Sequence, residues 1–219
     1  MAHDIPTVAS NINLDVGANL FEFRRVRELE DRRLYLYGEI SSVDEEADDG
    51  NTVGVSMVGD LVESILNYNR ADEGLDPDKR EPIRLYINSP GGKASEGFSL
   101  VDAMTLSKTP IYTINLGEWY SMAFLIGITG DKRFSLPSST FMMHEPSGIV
   151  VGKISDMADT ISFNKRFHEE VIRQHVLGHS TMSIKKYKSV SSKDFYMSPE
   201  DALGYGFIDE IVTDISVIL

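Results

Sequence analysis

Three side chains have the types that serine-hydrolase chemistry needs, and each stands in a local setting that suits one role: Ser121, His144 and Asp194. A serine hydroxyl is a poor nucleophile at neutral pH. It needs an imidazole to take its proton, and the imidazole needs a carboxylate to fix its tautomer and orientation. Ser121 lies between the β-rich run Ile111 to Leu116, closed by Gly117, and the wholly apolar run Met122 to Ile128. A buried strand, a four-residue turn and a buried helix are expected there, with Ser121 at the helix N-terminus. The dipole and free N–H groups at such an end favour a developing negative charge. The same segment fits a plain N-cap serine, and the Gly-x-Ser-x-Gly elbow of the α/β-hydrolases is absent. His144 closes the strand-like Thr140-Phe141-Met142-Met143 and precedes the loop Glu145-Pro146-Ser147-Gly148. Strand ends of that kind carry the chemistry of parallel sheets. Asp194, in Ser192-Lys193-Asp194-Phe195, reads by itself as a loop acid.

The elements that must position these groups follow from the patterning. Ile83 to Ile87 reads as a strand running into Asn88-Ser89-Pro90-Gly91-Gly92. A Pro-Gly-Gly turn there would free backbone N–H groups to approach a ligand, as an oxyanion hole requires. Ser95 is placed to cap a helix that ends near Lys108, before Pro110. Further strand-like runs at Leu34 to Ile40 and Phe207 to Val212 alternate with a helix around Val55 to Asn67. The alternation marks an α/β fold with mainly parallel pairing. The charged stretch Ala71 to Pro82 reads as a surface loop. A long amphipathic helix is expected from about Ile154 to Leu177, with Ile154, Met157, Ala158 and Ile161 on one face and Gly178 as its stop. His175 and His179 lie four apart on it and read as surface histidines, since no third metal ligand is in sight. Ser198, Pro199 and Asp201 form the start of a short helix that Gly204 ends.

Composition narrows the class. With 219 residues, 42% of them hydrophobic, the chain is expected to form one domain around a sizeable core. A formal net charge of -13 argues against nucleic acid or an anionic membrane as the main partner. The absence of cysteine excludes disulfides and a cysteine nucleophile. The first residues lack the pattern of a signal peptide, and Met122 to Ile128 is far shorter than the roughly 20 residues of a membrane span, so a cytoplasmic protein is expected. The acids Asp44, Glu45, Glu46, Asp48 and Asp49 mark 41–52 as a solvated insertion, without the spacing of a calcium loop.

Several motifs in a fixed order carry a resemblance to a family. They are Leu85 to Gly92, Gly117 to Met122, Lys132-Arg133-Phe134-Ser135-Leu136-Pro137, Met143-His144-Glu145-Pro146, and Asp194 through Ser198-Pro199-Glu200-Asp201-Ala202 to Tyr205-Gly206-Phe207-Ile208-Asp209. From near Arg33 to near Val212 the chain resembles ClpP, the proteolytic subunit of the ATP-dependent Clp protease. The resemblance implies the ClpP/crotonase-like fold of repeated β-β-α units, with a mainly parallel sheet and a protruding handle helix at about 150–180. It implies Ser121 as nucleophile, His144 as general base and then acid, and Asp194 as the orienting carboxylate. The backbone N–H groups of Gly92 and Met122 would form the oxyanion hole. It further implies a homo-oligomer of two stacked heptameric rings that cleaves unfolded polypeptides inside a chamber. A ring-shaped AAA+ unfoldase would dock on an apolar cleft at Tyr86, Leu106, Ile114, Leu116, Phe134 and Leu136. No metal or cofactor is implied, and no phosphate-binding loop is present, so ATP would be used only by the partner.

The chain departs from the family pattern in several places. Glu118, Trp119 and Tyr120 replace small residues before the serine and are expected to reshape the substrate pocket. Lys193 replaces an arginine that helps pair the rings, and loses its bidentate fork. Residues 1–25 do not align with the family's N-terminal loop. Two alternatives therefore stand beside the peptidase: a catalytically weak subunit that assembles with an active paralogue, and a crotonase-fold enzyme acting on acyl-CoA.

Overall fold

A computed structural model of the chain describes residues 31–46, 52–148 and 150–219, with backbone alone for 42–46 and 52–55. The divergent segment 1–25 lies outside the described residues. A parallel sheet of β1 (Arg33–Ile40), β4 (Ile83–Gly92), β5 (Ile111–Tyr120), β6 (Lys132–Ser135) and β9 (Glu210–Ile211) forms the centre, in the order β1-β4-β5-β6-β9. The helices α1 (Met57–Ala71), α2 (Ala94–Leu106) and α3 (Met122–Ile128) connect its strands. This is the mixed α/β, mainly parallel architecture that the alternating pattern predicts, consistent with the ClpP fold.

Strand alternation assigns the two faces. Along β4, Leu85 and Ile87 enter the main core with Leu36, Ile40, Ile65, Leu100 and Phe124, whereas Tyr86 between them joins Ile114, Phe134, Val212 and Ile218 in a second, smaller cluster. Helix α1 supplies Val58, Leu61, Ile65 and Tyr68 at helical spacing, and Ser56 caps it by accepting from the Gly59 N–H at 3.2 Å. Burying each large aliphatic or aromatic side chain in this way stabilises by about 1.5–3 kcal/mol.

Halfway along β5 its neighbour changes. Tyr112 to Asn115 pair with β6, and Glu118 to Tyr120 pair with β7 (Thr140–Met143). The buried Asn115 sits at the branch. Its carbonyl accepts from Leu136 N and Ser139 Oγ, both at 3.0 Å, and its Nδ2 donates to Thr140 O at 3.0 Å. One side-chain amide and one carbonyl thus satisfy the polar groups that the divergence of β6 and β7 exposes.

Several expected boundaries move. The acidic segment read as a loop pairs as β2 (Ser42–Glu46) with β3 (Thr52–Ser56), while 47–51 lie outside the described residues. Val43, Val53 and Val55 favour extended backbone, and the helix expected from Val55 starts only at Met57. The Pro90-Gly91-Gly92 turn is instead the continuation of β4, since Glu39 and Ile40 of β1 still pair with Gly91 and Gly92. Ser95 does not cap α2; the cap position is Lys93. The closing strand is only Glu210–Ile211, because Phe207 and Ile208 are buried in the core before it. After helix α6 (Ile184–Val190), helix α7 (Pro199–Gly204) starts with the expected capping box of Ser198 and Asp201.

The long helix of 154–177 is three pieces: α4 (Ile154–Phe167), a π-helical turn His168–Ile172, and α5 (Arg173–Gly178). No residue of α4 is buried; Ile154 is 85% and Ile161 56% exposed. Within 154–177 only Ile172, the last residue of the π turn, and Val176 are buried, with Phe167 and Leu177 packed against the core. His175 and His179 are half-buried, not surface residues. His175 Nε2 lies 3.1 Å from both Thr129 Oγ1 and Leu125 O, and His179 Nδ1 lies 2.8 Å from His175 O. Among the described residues no helix is long and apolar enough to cross a membrane.

Candidate active site

β5 runs extended to Tyr120, so the expected four-residue turn is absent and the chain reverses at Ser121 itself, with φ 54° and ψ −120°. A non-glycine residue at positive φ is strained and persists only where its surroundings enforce it. They do so from both sides. The Ser121 N–H donates to Met142 O at 2.9 Å, and the Ser121 carbonyl accepts from Phe124 N at 3.1 Å. Trp119, fully buried, supports the turn from beneath: a Cβ on Gly127 of α3 would fall 2.3 Å from its ring, so helix and indole are in direct contact. The indole Nε1 of Trp119 has no hydrogen-bond partner among the described residues.

Strand register delivers the other two groups. β7 pairs in parallel with β5, Trp119 opposite Phe141 and Tyr120 opposite Met142, which brings His144 beside Ser121. The His144 Nε2 lies 2.7 Å from the Ser121 Oγ, a full hydrogen bond. β8 (Phe195–Met197) pairs antiparallel with β7, Met143 opposite Phe195, so Asp194 arrives abreast of His144. There the side chains stop short. Asp194 Oδ1 is 4.0 Å from His144 Nδ1, beyond hydrogen-bond length, and the carboxylate is 62% exposed.

The end of β4 closes over the serine. Gly91 and Gly92 have φ of 92° and 145°, and a Cβ on Gly91 would lie 2.6 Å from Tyr120 O and 2.8 Å from Met122 N. A Cβ on Gly92 would lie 2.2 Å from Ile40 O. Only glycine permits this approach, which sets the backbone of β4 directly above the first residue of α3. Ser89 holds the strand in place, its Oγ donating to Gly38 O at 2.6 Å and accepting from Gly91 N at 3.1 Å. Gly92 and Met122, the expected oxyanion-hole residues, both line the cavity in front of Ser121 and His144.

That cavity has a volume of about 330 Å³, and its deeper wall is apolar, made by Phe98, Leu125, Ile172, Val176 and Tyr187. None of these five stands out in the sequence as a site residue. Ile172 and Val176 do show helical i, i+4 spacing, but that pattern does not tell a cavity wall from a core face. Trp119 and Tyr120, in contrast, do not line the cavity as expected. Trp119 packs edge-on to Phe141 inside the core, and Tyr120 packs against Tyr196 with its hydroxyl 2.8 Å from Thr140 Oγ1.

A strained serine hydrogen-bonded to an imidazole, at the mouth of an apolar cavity and beneath a glycine strand, is an arrangement suited to acyl transfer. The Clp protease family model matches residues 74–214, a span that contains Ser121, His144, Asp194 and the Gly91-Gly92 strand end. The chain belongs to the Clp protease family. Membership agrees with the mixed α/β, mainly parallel sheet and supports a ClpP-like peptidase.

The expected docking-cleft residues divide. Tyr86, Ile114 and Phe134 are buried in the smaller cluster, with Leu116 and Leu136 packed against it. Leu106 stands outside that cluster and is 80% exposed at the end of α2.

Proposed function

We propose that this chain is a serine endopeptidase that cleaves unfolded polypeptides through an acyl-enzyme. The 2.7 Å contact between the strained Ser121 and His144 carries this reading. In the reaction, His144 Nε2 takes the Ser121 proton as Oγ attacks the scissile carbonyl. The oxyanion forms under the N–H groups of Gly92 and Met122, and His144 then gives the proton to the leaving amine. Water hydrolyses the ester by the reverse sequence. Asp194 holds the imidazole once its carboxylate swings in to Nδ1. The apolar wall of the cavity receives the side chain that precedes the scissile bond. Chemistry of this kind uses no metal or cofactor.

The assembly in this reading is two stacked heptameric rings fed by an AAA+ unfoldase, which alone consumes ATP. Helix α4 supports it: Ile154, Ile161 and Phe163 are all more than half exposed, an apolar surface that a single chain leaves uncovered. The apolar patch around Tyr86 and Phe134 is the docking face.

The 4.0 Å gap at Asp194 favours a second reading, a subunit of low intrinsic activity that works beside an active paralogue. Labelling the assembled protein with a fluorophosphonate and measuring its intact mass separates the two. A single adduct that vanishes in Ser121→Ala is expected; an unlabelled ring assembly would support the weak subunit instead.

A further inference from the structure

Two cavities meet at one wall. The catalytic cavity of about 330 Å³ and a second of about 570 Å³ share Ala94, Pro146, Ser147 and Ile172 in their linings. Two side-chain contacts run from one to the other. Phe98 of α2, in the catalytic cavity, packs edge-on against Phe167, in the second, with ring centroids 5.1 Å apart. Tyr187 of α6, in the catalytic cavity and 4% exposed, brings its hydroxyl to 3.2 Å from Nε2 of His168, in the second. Each of these two groups satisfies a polar atom that the other buries. Burial pushes the pKa of His168 down and that of Tyr187 up, so the pair presents no charge to either cavity at neutral pH. His168 and Ile172 are the first and last residues of the π turn, a widened turn that helices use frequently at functional sites.

We propose that Ile172 and the His168–Tyr187 pair form a partition that sets how long a side chain the catalytic cavity takes before the scissile bond. With the partition closed, the cavity ends behind a side chain of phenylalanine length and the second cavity stays separate. The inference rests on the reading of the apolar wall as the seat of that side chain. Ile172 and Tyr187 face the substrate and determine specificity, whereas His168 acts through Tyr187 and is a positioning residue. Without the imidazole, the Tyr187 hydroxyl loses its partner and turns toward water, because a buried hydroxyl with no hydrogen bond is unfavourable. The two volumes then join along the path that the two rings leave.

The test treats the full chain with peptidyl diphenyl phosphonates bearing the side chain of phenylalanine or of 4-phenylphenylalanine, and follows the Ser121 adduct by intact mass. The wild type is expected to react roughly 30-fold faster with the phenylalanine probe, within the range that pocket shape alone supplies. His168→Ala is expected to lower that ratio at least about tenfold by admitting the longer probe, with the phenylalanine probe reacting as before. His168→Gln, whose amide can reach the Tyr187 hydroxyl, is expected to restore the wild-type ratio. A wild type that takes both probes equally, a folded His168→Ala that keeps the wild-type ratio, or a ratio left low in His168→Gln would overturn the proposal. Should His168→Ala fail to fold, Ile172→Ala breaches the same wall and is expected to lower the ratio alike. An unchanged ratio there, or loss of folding in both, would overturn the proposal equally. A chain that a small fluorophosphonate labels at Ser121 but neither phosphonate labels would refute the partition alone, since the cavity then seats no side chain. A chain that no probe labels would refute the peptidase reading, and the partition with it.

Discussion

The Ser121 hydroxyl and the His144 imidazole meet at 2.7 Å, whereas the Asp194 carboxylate stands 4.0 Å from the far side of the same ring. The proton-transfer contact is built into the fold of one chain and the orienting contact is not. Ser121→Ala and His144→Ala are each expected to lower kcat/KM for a fluorogenic peptide by roughly 10⁴-fold or more. Asp194→Asn is expected to lower it by about 10⁴-fold as well, because the amide favours the wrong imidazole tautomer once the side chain has closed onto Nδ1. A loss of only about 10-fold would show that Asp194 stays away from the ring during turnover.

Gly91→Ala tests the strand end above the serine. The added Cβ meets Tyr120 O, Met122 N and Ser121 Cβ, all backbone or the nucleophile itself, at 2.6–2.8 Å, and forces an alanine to φ 92°. Strain of that kind costs roughly 1–3 kcal/mol. The expected outcome is a folded protein with kcat reduced about 100-fold or more, because displacing a donor at an oxyanion by 1 Å is enough. Circular dichroism beside steady-state kinetics checks both halves.

The apolar wall of the cavity predicts the preferred residue before the scissile bond. Peptides with Leu, Met or Phe there are expected to be cleaved about 100-fold faster than those with Asp or Lys, because a charge in this wall would lose its hydration without a partner. Val176→Trp, which fills the cavity, is expected to shift the preference toward Ala. An unchanged profile in that variant would place the specificity pocket elsewhere.

His175 makes stability depend on pH. Burial, reinforced by the neighbouring His179, pulls its pKa down to about 4, against the upward pull of the Leu125 carbonyl and Asp102. Between about 4 and the ordinary 6.5, the unfolded chain binds a proton that the folded chain refuses. The contribution of His175 is therefore complete above pH 6.5 and is lost as the pH falls toward 4. The loss is about 2–3 kcal/mol. Burial also lowers the pKa of His168, so a smaller slope of the same sign remains when His175 is removed. Urea unfolding at pH 7.5 and pH 5 should show a smaller difference for His175→Gln than for the wild type. Equal differences would mean that His175 is solvated in the folded state.

Much of this protein is legible in its sequence, for local reasons. The apolar runs at β4, β5 and α3 announce a buried parallel sheet and its helices, and the Ser198/Asp201 box announces α7, because propensity, capping and periodicity act over a few residues. Ser121, His144 and Asp194 stand out because each lies at the boundary of such a run. Contacts between distant segments decide the remainder. Ser121 is an elbow at φ 54° and not a plain cap because Met142 O, 21 residues on, takes its N–H and because Trp119 packs beneath Gly127. Pro90-Gly91-Gly92 remains a strand because β1, some 50 residues earlier, supplies its partner. The helix of 154–177 breaks into α4, a π turn and α5, and buries only Ile172 and Val176, because that end packs against α3. Ile218 is buried in the smaller cluster beside Tyr86, 132 residues earlier in the chain. Local patterns determine which elements form; which side chains meet depends on how the sheet brings those elements together, and a linear pattern does not encode those distances.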